Sequence, residues 1–447
     1  MTIMDEMKLF IEPTSVALIG VTRHTGKGAF NILENLLAIG FQGQIYPVNP
    51  KATHILGIEV YPEVASLPAG IDLAVVATPR QVVPKVIRDC AERGIKAVII
   101  VSNGFAEADE TGRRLQNRVI GIARRAGMRI IGPNSLGVVN NFSSFTSAFV
   151  ASPRDRTPVA LVCQSGGFLQ GFAGFTSGKS IDLGNRSDVD FPEVLEYLGN
   201  DPDTKVLALE MESVMDGGKF MEVATKVGRK KPILALKIGH SEEGAEAAAS
   251  HTGSITGRPE VYQAVFKQAG IIPVDNVDEM GDLARAFVNL PPFKGDKIGI
   301  ITPTGAGGVM ALDVLSQHGL KPARLLPRTV ERIKHFFPAW SPPANPIDML
   351  TAAIRHGFGR VYRESLSALI DDENVDAVLC ISGIPTLKAI QQVANGKPKP
   401  VITWIAGEWD ETLQPKVEET GYRAIYPTPG RAIRALAALR EYSCRAK

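Results

Sequence analysis

Short apolar runs alternate with amphipathic stretches along almost the whole chain, and this alternation predicts its secondary structure. In the first third, runs rich in Val, Ile, Leu and Ala predict buried strands at Val16–Gly20, Leu73–Ala77, Ala97–Val101 and Arg129–Ile131. The intervening stretches have the spacing of helices, at Ala29–Ile39, Val82–Arg93 and Gly112–Ala126. Strands that alternate with helices are typical of an α/β fold with a doubly wound parallel sheet.

Two interruptions of this pattern divide the chain into three predicted domains. Segment Asn141–Thr157 is rich in Ser, Phe and Pro, and segment Asn289–Asp296 contains two prolines and a glycine. A second series of strands is predicted at Val159–Val162, Val206–Leu209 and Ile233–Lys237, with helices near Pro192–Leu198 and Lys219–Val227. A third series is predicted at Lys297–Thr302, Ala377–Ile381 and Val401–Ile405. We therefore predict α/β domains over residues 1–145, 155–290 and 296–447.

Composition narrows the class of protein. The 447 residues suit about three domains of roughly 100–200 residues each. The net charge of +2 gives no overall imbalance that would favour nucleic acid or an anionic membrane. The N-terminus lacks an apolar signal segment, and no apolar run reaches the length of about 18 residues that a membrane span needs. The 4 cysteines form no CxxC pair, which argues against a disulfide framework or a zinc site and indicates a cytoplasmic protein.

The first candidate site is the glycine-rich turn Gly20–Gly28. In open parallel sheets, ligands bind beyond the carboxyl ends of the strands, where helix N-termini offer free N–H groups. The turn is neither a regular GxGxxG nor a P-loop, and Arg23 and Lys27 add positive charge. Where a NAD-binding domain would place an acidic residue, the next strand has Asn49 and Lys51. This pattern favours a phosphorylated nucleotide such as CoA, and a basic surface turn is the alternative.

Two similar turns open the second and third domains. The first runs from Gln164 to Phe168 and the second from Thr302 to Val309; both follow a predicted strand and precede a predicted helix. Small residues there leave the helix start open to an anion. One such turn often reflects tight packing alone, but two in related positions indicate a phosphate held between helix N-termini.

The segment Ala247–Gly257 consists of small residues around His251. The imidazole of His251 is the side chain in this segment that can act as a nucleophile near neutral pH. A nucleophilic imidazole needs an acceptor on its second nitrogen, and Glu212, after the strand Val206–Leu209, is placed by topology to provide one. The alternatives are an incidental surface histidine and a salt bridge at the strand end.

The string SHTGSITG (Ser250–Gly257) resembles the phosphohistidine loop of ADP-forming acetyl-CoA synthetases, in the superfamily of succinyl-CoA synthetase. The resemblance covers essentially the whole chain. It includes LIGVTRHTGKG (Leu18–Gly28), YPVNPK (Tyr46–Lys51), SNGFAE (Ser102–Glu107), IGPNSLGVVN (Ile131–Asn140), QSGGF (Gln164–Phe168), LGNRSDVDFPEVLEYLGNDPDTKV (Leu183–Val206) and ANPIDM (Ala344–Met349).

This resemblance implies a Rossmann-like CoA-binding domain followed by two flavodoxin-like domains. It also implies a hetero-oligomer with a separate ATP-grasp β subunit that binds Mg²⁺ and ADP or ATP. By similarity, His251 is phosphorylated and Glu212 orients it. The phosphate-binding residues are then Ser165, Gly166 and Gly167 in one turn and Gly305, Ala306, Gly307 and Gly308 in the other. CoA then lies along Gly20, Thr22, Arg23, Gly26, Lys51, Thr78, Pro79, Asn103 and Gly104, with its thiol near Asn134.

The chain departs from the family pattern at three places. It has Gly20-Val21-Thr22 where the family usually has Gly-Ala-Ser, and Ser135 where the family has Cys. Its third-domain turn, Gly305–Gly308, reads GAGG where GGPG is commoner. The change at Ser135 argues against a cysteine acyl carrier at that position.

The predicted function is that of an acyl-CoA synthetase (NDP-forming) subunit. It would interconvert acyl-CoA, ADP and phosphate with acid, CoA and ATP through acyl phosphate and phosphohistidine. Two alternatives are a synthetase-like body associated with an acetyltransferase and an acyl-CoA-responsive regulatory protein. A dehydrogenase is disfavoured, because the acidic ribose-binding residue is missing.

Overall fold

The computed structural model describes residues 2–26, 28–172, 175–239, 241, 243–244, 246, 258–407 and 423–445. The predicted phosphohistidine loop, with His251, lies outside the described residues, as does Lys27. The chain forms two compact units, Met1–Met280 and Gly281–Lys447. Within the described ranges, every helix is too short or too polar to cross a bilayer.

The first unit begins with a parallel sheet whose strand order is β2-β1-β5-β6-β7. Its strands are β1 (Ser15–Ile19), β2 (Gln44–Val48), β5 (Leu73–Val76), β6 (Ala97–Ile100) and β7 (Arg129–Ile131), and a hairpin joins β3 (His54–Ile55) to β4 (Ile58–Glu59). The helices are α1 (Ile3–Ile11), α2 (Ile32–Ala38), α3 (Val83–Glu92) and α4 (Glu110–Arg125). The central strands β1, β5 and β6 are buried along their whole length, which explains their continuous apolar runs.

Helix α2 begins three residues later than the predicted helix Ala29–Ile39. The side chain of Asn31 accepts hydrogen bonds from the N–H groups of Leu33 and Glu34 and so caps the helix. The glycine-rich turn before it is therefore longer than the apolar spacing indicated.

The second sheet of the same unit has the order β14-β13-β12-β10-β11-β8-β9. Its strands are β8 (Val138–Asn140), β9 (Phe145–Thr146), β10 (Val159–Cys163), β11 (Lys179–Asp182), β12 (Val206–Met211), β13 (Ile233–Lys237) and β14 (Ile272–Pro273). Helices α5 (Phe191–Asn200), α6 (Gly217–Gly228) and α7 (Pro259–Ala269) belong to it, and α8 (Val277–Asn289) follows. Strands β10 to β14 are parallel, whereas β8 pairs antiparallel with β11 and β9 antiparallel with β8. Residues on both sides of the predicted first boundary thus join the second sheet as an antiparallel edge.

The second unit contains a parallel sheet with the order β16-β15-β18-β19-β20, and β17 also pairs with β15. Its strands are β15 (Lys297–Thr302), β16 (Lys321–Pro322), β17 (Ile347–Asp348), β18 (Ala377–Ser382), β19 (Val401–Ile405) and β20 (Ile425–Tyr426). Its helices are α9 (Gly305–Gln317), α10 (Pro327–Ile333), α11 (Leu350–His356), α12 (Phe358–Asp371), α13 (Ile384–Ala394) and α14 (Pro429–Arg445).

A buried lysine joins several elements at the amino end of β11. Lys179 is fully buried, and its Nζ lies 2.8 Å from Asp201, 3.2 Å from Asp203 and 3.6 Å from Glu12. Glu12 immediately follows α1, and Asp201 immediately follows α5. Because a buried charge is costly unless it is paired, this ion cluster fixes the N-terminal helix against the second sheet.

We expect Lys179→Met to destabilise the first unit by about 3–5 kcal/mol, because it leaves buried Asp201 without its cation. Denaturant-induced unfolding of the full chain measures the effect. The control is Lys85→Met, which removes an exposed lysine that pairs with Asp89 within α3 and should change stability far less. Equal destabilisation by the two variants would contradict a structural role for the cluster.

Candidate functional site

The residues predicted to bind CoA lie in turns at one edge of the first sheet. They follow β1 (Gly20, Thr22, Arg23, Gly26), β2 (Lys51), β5 (Thr78, Pro79), β6 (Asn103, Gly104) and β7 (Asn134). Because these strands are parallel neighbours, their carboxyl ends meet at the same edge. The fold therefore brings this predicted set together.

A small cavity of about 180 Å³ opens beside the turn after β1. It is lined mainly by apolar residues together with Thr22: Leu18, Ile19, Gly20, Val21, Thr22, Ala29, Phe30, Ile32, Val75 and Ala77. Gly20 has a φ of +87°, and a Cβ there would lie 2.7 Å from the carbonyl oxygen of Ala77. Glycine is thus required for the two turns to approach each other. Nearby, the hydroxyl of Thr78 is buried and has no hydrogen-bond partner among the described residues.

Two asparagine side chains donate hydrogen bonds to backbone carbonyl oxygens of the turn after β1. The side-chain amide of Asn31 donates to the carbonyl oxygens of His24 (2.9 Å) and Thr22 (3.3 Å). That of Asn49 donates to the carbonyl oxygen of Val21 at 2.8 Å. Asn49 therefore supports the backbone, at the position where a dinucleotide-binding domain would bind ribose. Sequence analysis missed the role of Asn31, although an Asn directly before a helix is a capping signal.

Some backbone donors expected to face CoA already have protein acceptors. The N–H of Gly26 donates to Glu34 at 2.9 Å. The N–H groups of Gly104 and Phe105 donate to one oxygen of Glu107, at 2.6 and 3.1 Å. The N–H groups of Gly26 and Gly104 are therefore already used within the protein and are not free for a ligand.

Hydrogen bonds connect the carboxyl ends of β10 and β12 in the second sheet. The N–H groups of Gln164 and Ser165 donate to Oε2 of Glu210, both at 2.9 Å. In the opposite direction, the N–H groups of Glu212 and Ser213 donate to Oε1 of Gln164, at 2.8 and 3.1 Å. Glu210 is fully buried, and Gln164 and Glu212 are nearly so. We call these five residues the edge cluster.

The predicted phosphate turn differs in detail from the expectation. A short 3₁₀ helix, Gly166–Gln170, replaces the expected α-helix, and the Ser165 side chain makes no capping hydrogen bond. A Cβ at Gly166 would lie 2.3 Å from the side chain of Leu136, so this glycine is needed for packing. A Cβ at Gly167 would lie 4.0 Å from the hydroxyl of Ser165, so a side chain would fit there. Because the Ser165 N–H is taken by Glu210, the N–H groups of Gly166 and Gly167 are the ones left to face an anion.

Asp182, at the end of β11, ties the turn after β7 to the second sheet. Its carboxylate accepts hydrogen bonds from the N–H groups of Leu136 (2.5 Å) and Gly184 (3.0 Å). The hydroxyl of Ser135 donates to the backbone carbonyl of Asp182. Ser135 is thus a buried residue that helps to hold this turn.

Burial dominates the electrostatics of this edge. It raises the pKa of Glu210 to about 7, a shift that the N–H groups of Ser165 and Gln164 oppose and the Glu212 carboxylate reinforces. Burial likewise raises the pKa of Asp182 to about 7. At the end of β13, burial lowers the pKa of Lys237, and the carboxylates of Glu212 and Glu210 oppose that shift. Sequence analysis did not single out Glu210, Asp182 or Lys237 as site residues. The signal that could have identified them is a charged residue at the end of a predicted buried strand.

The glycine-rich turn of the second unit opens α9. Thr304 is the N-cap residue, and the hydroxyl of Thr302 accepts a hydrogen bond from its N–H at 3.1 Å. A Cβ at Gly308 would lie 3.0 Å from Pro346, and one at Gly305 would lie 3.3 Å from a carboxylate oxygen of Asp348. Gly308 is therefore a packing residue, whereas Gly305 and Ala306 are exposed at the helix start.

Comparison with known proteins decides the family. A CoA binding domain matches residues 14–141, and a succinyl-CoA ligase like flavodoxin domain matches residues 156–287. The α subunit of ADP-forming acetate–CoA ligase II from Pyrococcus furiosus is 36% identical over 434 residues, which are 92% of this chain and 93% of that subunit. The α subunit of ligase I from the same organism is 36% identical and covers 98% of both chains. The chain belongs to the ADP-forming acetate–CoA ligase family.

A solved structure of this family has the same fold. Acetyl-coenzyme A synthetase 1 of Ca. Korarchaeum cryptofilum, in complex with phosphate and ADP, superposes with a TM-score of 0.87 and 31% identity, over 99% of this chain and 97% of that one. The predicted family, α/β fold class, acid–thiol ligase class and CoA substrate are confirmed, and the α-subunit relatives imply a partner subunit. The domain boundaries and the roles of single residues stay predictions.

We expect Glu210→Gln to weaken the pH dependence of stability between about pH 5 and pH 7. The raised pKa means that the folded chain keeps a proton on Glu210 that the unfolded chain releases, since the ordinary pKa is 4.5. Raising the pH through this interval therefore favours unfolding, by about 1.4 kcal/mol for each unit of pKa difference. Glutamine keeps an acceptor oxygen for Gln164 and Ser165 but does not titrate.

Denaturant titrations of the wild type and the variant across this pH range provide the measurement. The free energy of unfolding of the wild type should fall more steeply with pH than that of Glu210→Gln. A difference between the two that is the same at every pH would show that Glu210 is ionised in the folded chain.

Proposed function

We propose that this chain is the catalytic α subunit of an ADP-forming acyl-CoA synthetase, acting through acyl phosphate and phosphohistidine. The observation that carries the proposal is the edge cluster, which arranges a phosphate turn and a buried carboxylate side by side at one sheet edge. Near-complete coverage by α subunits of ADP-forming acetate–CoA ligases supports it.

In the first step, a phosphate oxygen attacks the thioester carbonyl of acyl-CoA. The carbon–sulfur bond breaks, CoA leaves as the thiolate, and acyl phosphate forms. Fixed N–H donors stabilise the charge that develops on the phosphate and on the carbonyl oxygen. The N–H groups of Gly166 and Gly167 fit this role, because Glu210 holds the preceding residues and thereby fixes the direction of the turn.

In the second step, a nitrogen of His251 attacks the phosphorus of acyl phosphate. The phosphorus–oxygen bond to the acyl group breaks, and the carboxylic acid leaves as its anion. This role of His251 rests on the family resemblance of its loop. Glu212 suits the orienting carboxylate, because it is buried at the carboxyl end of β12 and its own N–H is held by Gln164.

The CoA site lies along the turns of the first sheet. Arg23 and Lys51 are exposed there and supply positive charge for the CoA phosphates. The buried hydroxyl of Thr78, which has no hydrogen-bond partner among the described residues, follows Ala77 of the cavity lining. Asn134, which follows β7, stays the proposed neighbour of the thiol.

The partner is proposed to be an ATP-grasp β subunit that holds Mg²⁺ and ADP or ATP. The names of the relatives support a partner, since both are α subunits. Residues 1–145 are the proposed CoA-binding domain, 155–290 the proposed ligase domain with the phosphohistidine loop, and 296–447 the second flavodoxin-like domain. The proposed location is the cytoplasm.

We expect His251→Ala to abolish acid-labile, base-stable labelling of this chain from γ-labelled ATP in the presence of the partner subunit. Alanine removes the nucleophile, so acyl-CoA synthesis is lost with the label. His54→Ala, which changes an exposed histidine of β3, is the control and should label normally. Normal labelling of His251→Ala would overturn the phosphohistidine assignment.

The same experiment tests the orienting carboxylate. Glu212→Gln should slow the labelling of this chain by roughly tenfold to a hundredfold. Its unfolding midpoint should shift no more than that of Glu210→Gln. An unchanged labelling rate would remove Glu212 from the proposal.

A further inference from the structure

Asn185, in the loop after β11, reaches the turns at the edge of the first sheet. Its side-chain amide nitrogen donates to Oε2 of Glu107 at 2.5 Å and to Oε1 of Gln116 at 3.0 Å. Its Oδ1 accepts a hydrogen bond from the side-chain amide nitrogen of Asn134 at 3.5 Å. All four residues are half-buried. Asn185 therefore connects the turn after β6, helix α4 and the turn after β7.

The loop after β11 also holds the backbone of the turn after β7. The N–H of Asn185 donates to the carbonyl oxygen of Pro133 at 2.9 Å. A Cβ at Gly184 would lie 2.4 Å from the same oxygen, so glycine is required for this close approach. Asn134 has a φ of +59°, a left-handed conformation that Asn adopts more readily than most residues. Its backbone is therefore fixed from both sides of the turn before its side chain meets a ligand.

The polarity of the side-chain network follows from Glu107. A carboxylate only accepts hydrogen bonds, and Oε1 of Glu107 already accepts them from the N–H groups of Gly104 and Phe105. The NH₂ group of Asn185 must therefore face Glu107, which turns its Oδ1 towards Asn134. The amide nitrogen of Asn134 in turn faces Asn185. This leaves Oδ1, on the other side of the Asn134 amide, as an acceptor with no donor among the described residues.

Asn134 lies where the two proposed sites meet. It follows β7 at the edge that collects the predicted CoA-binding turns. Two residues later, the side chain of Leu136 packs on Gly166 of the phosphate turn. Phosphate must reach the carbonyl carbon that is bonded to the CoA sulfur, so the thiol end of CoA belongs at this junction.

We propose that Asn185 is a positioning residue that orients the side-chain amide of Asn134, so that Oδ1 of Asn134 accepts a hydrogen bond from the thiol of CoA. This inference rests on the proposed function. A thiol is a weak donor, so the gain in affinity depends on an acceptor that is already oriented. Glu107 sets the direction of the network, because it fixes which end of the Asn185 amide faces Asn134.

The test measures the binding of CoA and of desulfo-CoA, in which hydrogen replaces the thiol group, to the complex of this chain with its co-expressed partner subunit. Asn185→Asp keeps the size of the side chain but places a second carboxylate against Glu107, so the network loses its donor. Asn200→Asp is the matched control, because it makes the same change at an exposed residue of α5 whose side chain accepts from Lys230. Isothermal titration calorimetry gives the Kd of each ligand.

We expect Asn185→Asp to raise the Kd for CoA by roughly threefold to tenfold, the effect of one lost hydrogen bond between neutral groups. The Kd for desulfo-CoA should change by less than about twofold, because this ligand never makes that bond. Asn200→Asp should bind both ligands like the wild type. If Asn185→Asp does not fold, Asn185→Ser replaces it in the comparison of the two ligands.

A double variant tests the polarity of the network. Adding Glu107→Gln to Asn185→Asp should restore much of the affinity for CoA. The amide then present at position 107 donates to the new carboxylate and still accepts the N–H groups of Gly104 and Phe105. A double variant that binds CoA no better than Asn185→Asp would contradict the inference.

Three further results separate the possible failures. A wild-type complex that binds neither CoA nor desulfo-CoA would overturn the CoA site of the proposed function itself. A wild type that binds CoA, with an unchanged Kd in Asn185→Asp, would overturn the role of Asn185 alone. Equal weakening of CoA and desulfo-CoA would make Asn185 a residue that only supports the fold, which also contradicts the inference.

Discussion

The site depends on one exchange of hydrogen bonds between the ends of two neighbouring strands. Glu210 on β12 accepts hydrogen bonds from two N–H groups directly after β10, and Gln164, which directly follows β10, accepts two from residues directly after β12. Each side chain satisfies backbone donors that would otherwise be unpaired in a buried place. As a result, the turn after β10 has a fixed direction, and the position of Glu212 is set by its own backbone.

The burial that accompanies these hydrogen bonds also explains the raised pKa of Glu210. A carboxyl group that must reach two buried N–H groups is itself removed from water, which raises the pKa of Glu210 to about 7. The turn after β7 shows the same principle, since the buried carboxylate of Asp182 accepts a hydrogen bond from Leu136, and Leu136 packs on Gly166. Buried carboxyl groups therefore connect the turn after β7 with the turn after β10.

Local patterns in the sequence predicted most of the fold. Continuous apolar runs identified β1, β5, β6, β10 and β15, because strands buried on both faces need apolar residues at every position. The antiparallel edge formed by β8 and β9 was not predicted, since two- and three-residue strands carry no periodicity. The 3₁₀ helix after Ser165 was also missed, because its sequence has the small residues of an ordinary helix start. The turns after β1, β10 and β15 could be located from their glycines, whereas the role of the histidine loop stays a prediction. The partners of Glu210 could not be predicted. Its carboxylate accepts a hydrogen bond from Gln164, which is 46 residues away in the sequence, and such a distant contact leaves no local pattern.

Amide hydrogen exchange of the folded chain tests the central claim most directly. Backbone N–H groups bound to buried side chains should exchange only when the first unit unfolds globally. We expect the N–H groups of Gln164, Ser165, Glu212 and Ser213 to be among the most protected in that unit, and that of Gly167 to exchange rapidly. Exchange of these four groups at the rate of Gly167 would show that the strand ends are not held together by side-chain hydrogen bonds, and the account of the site would fail.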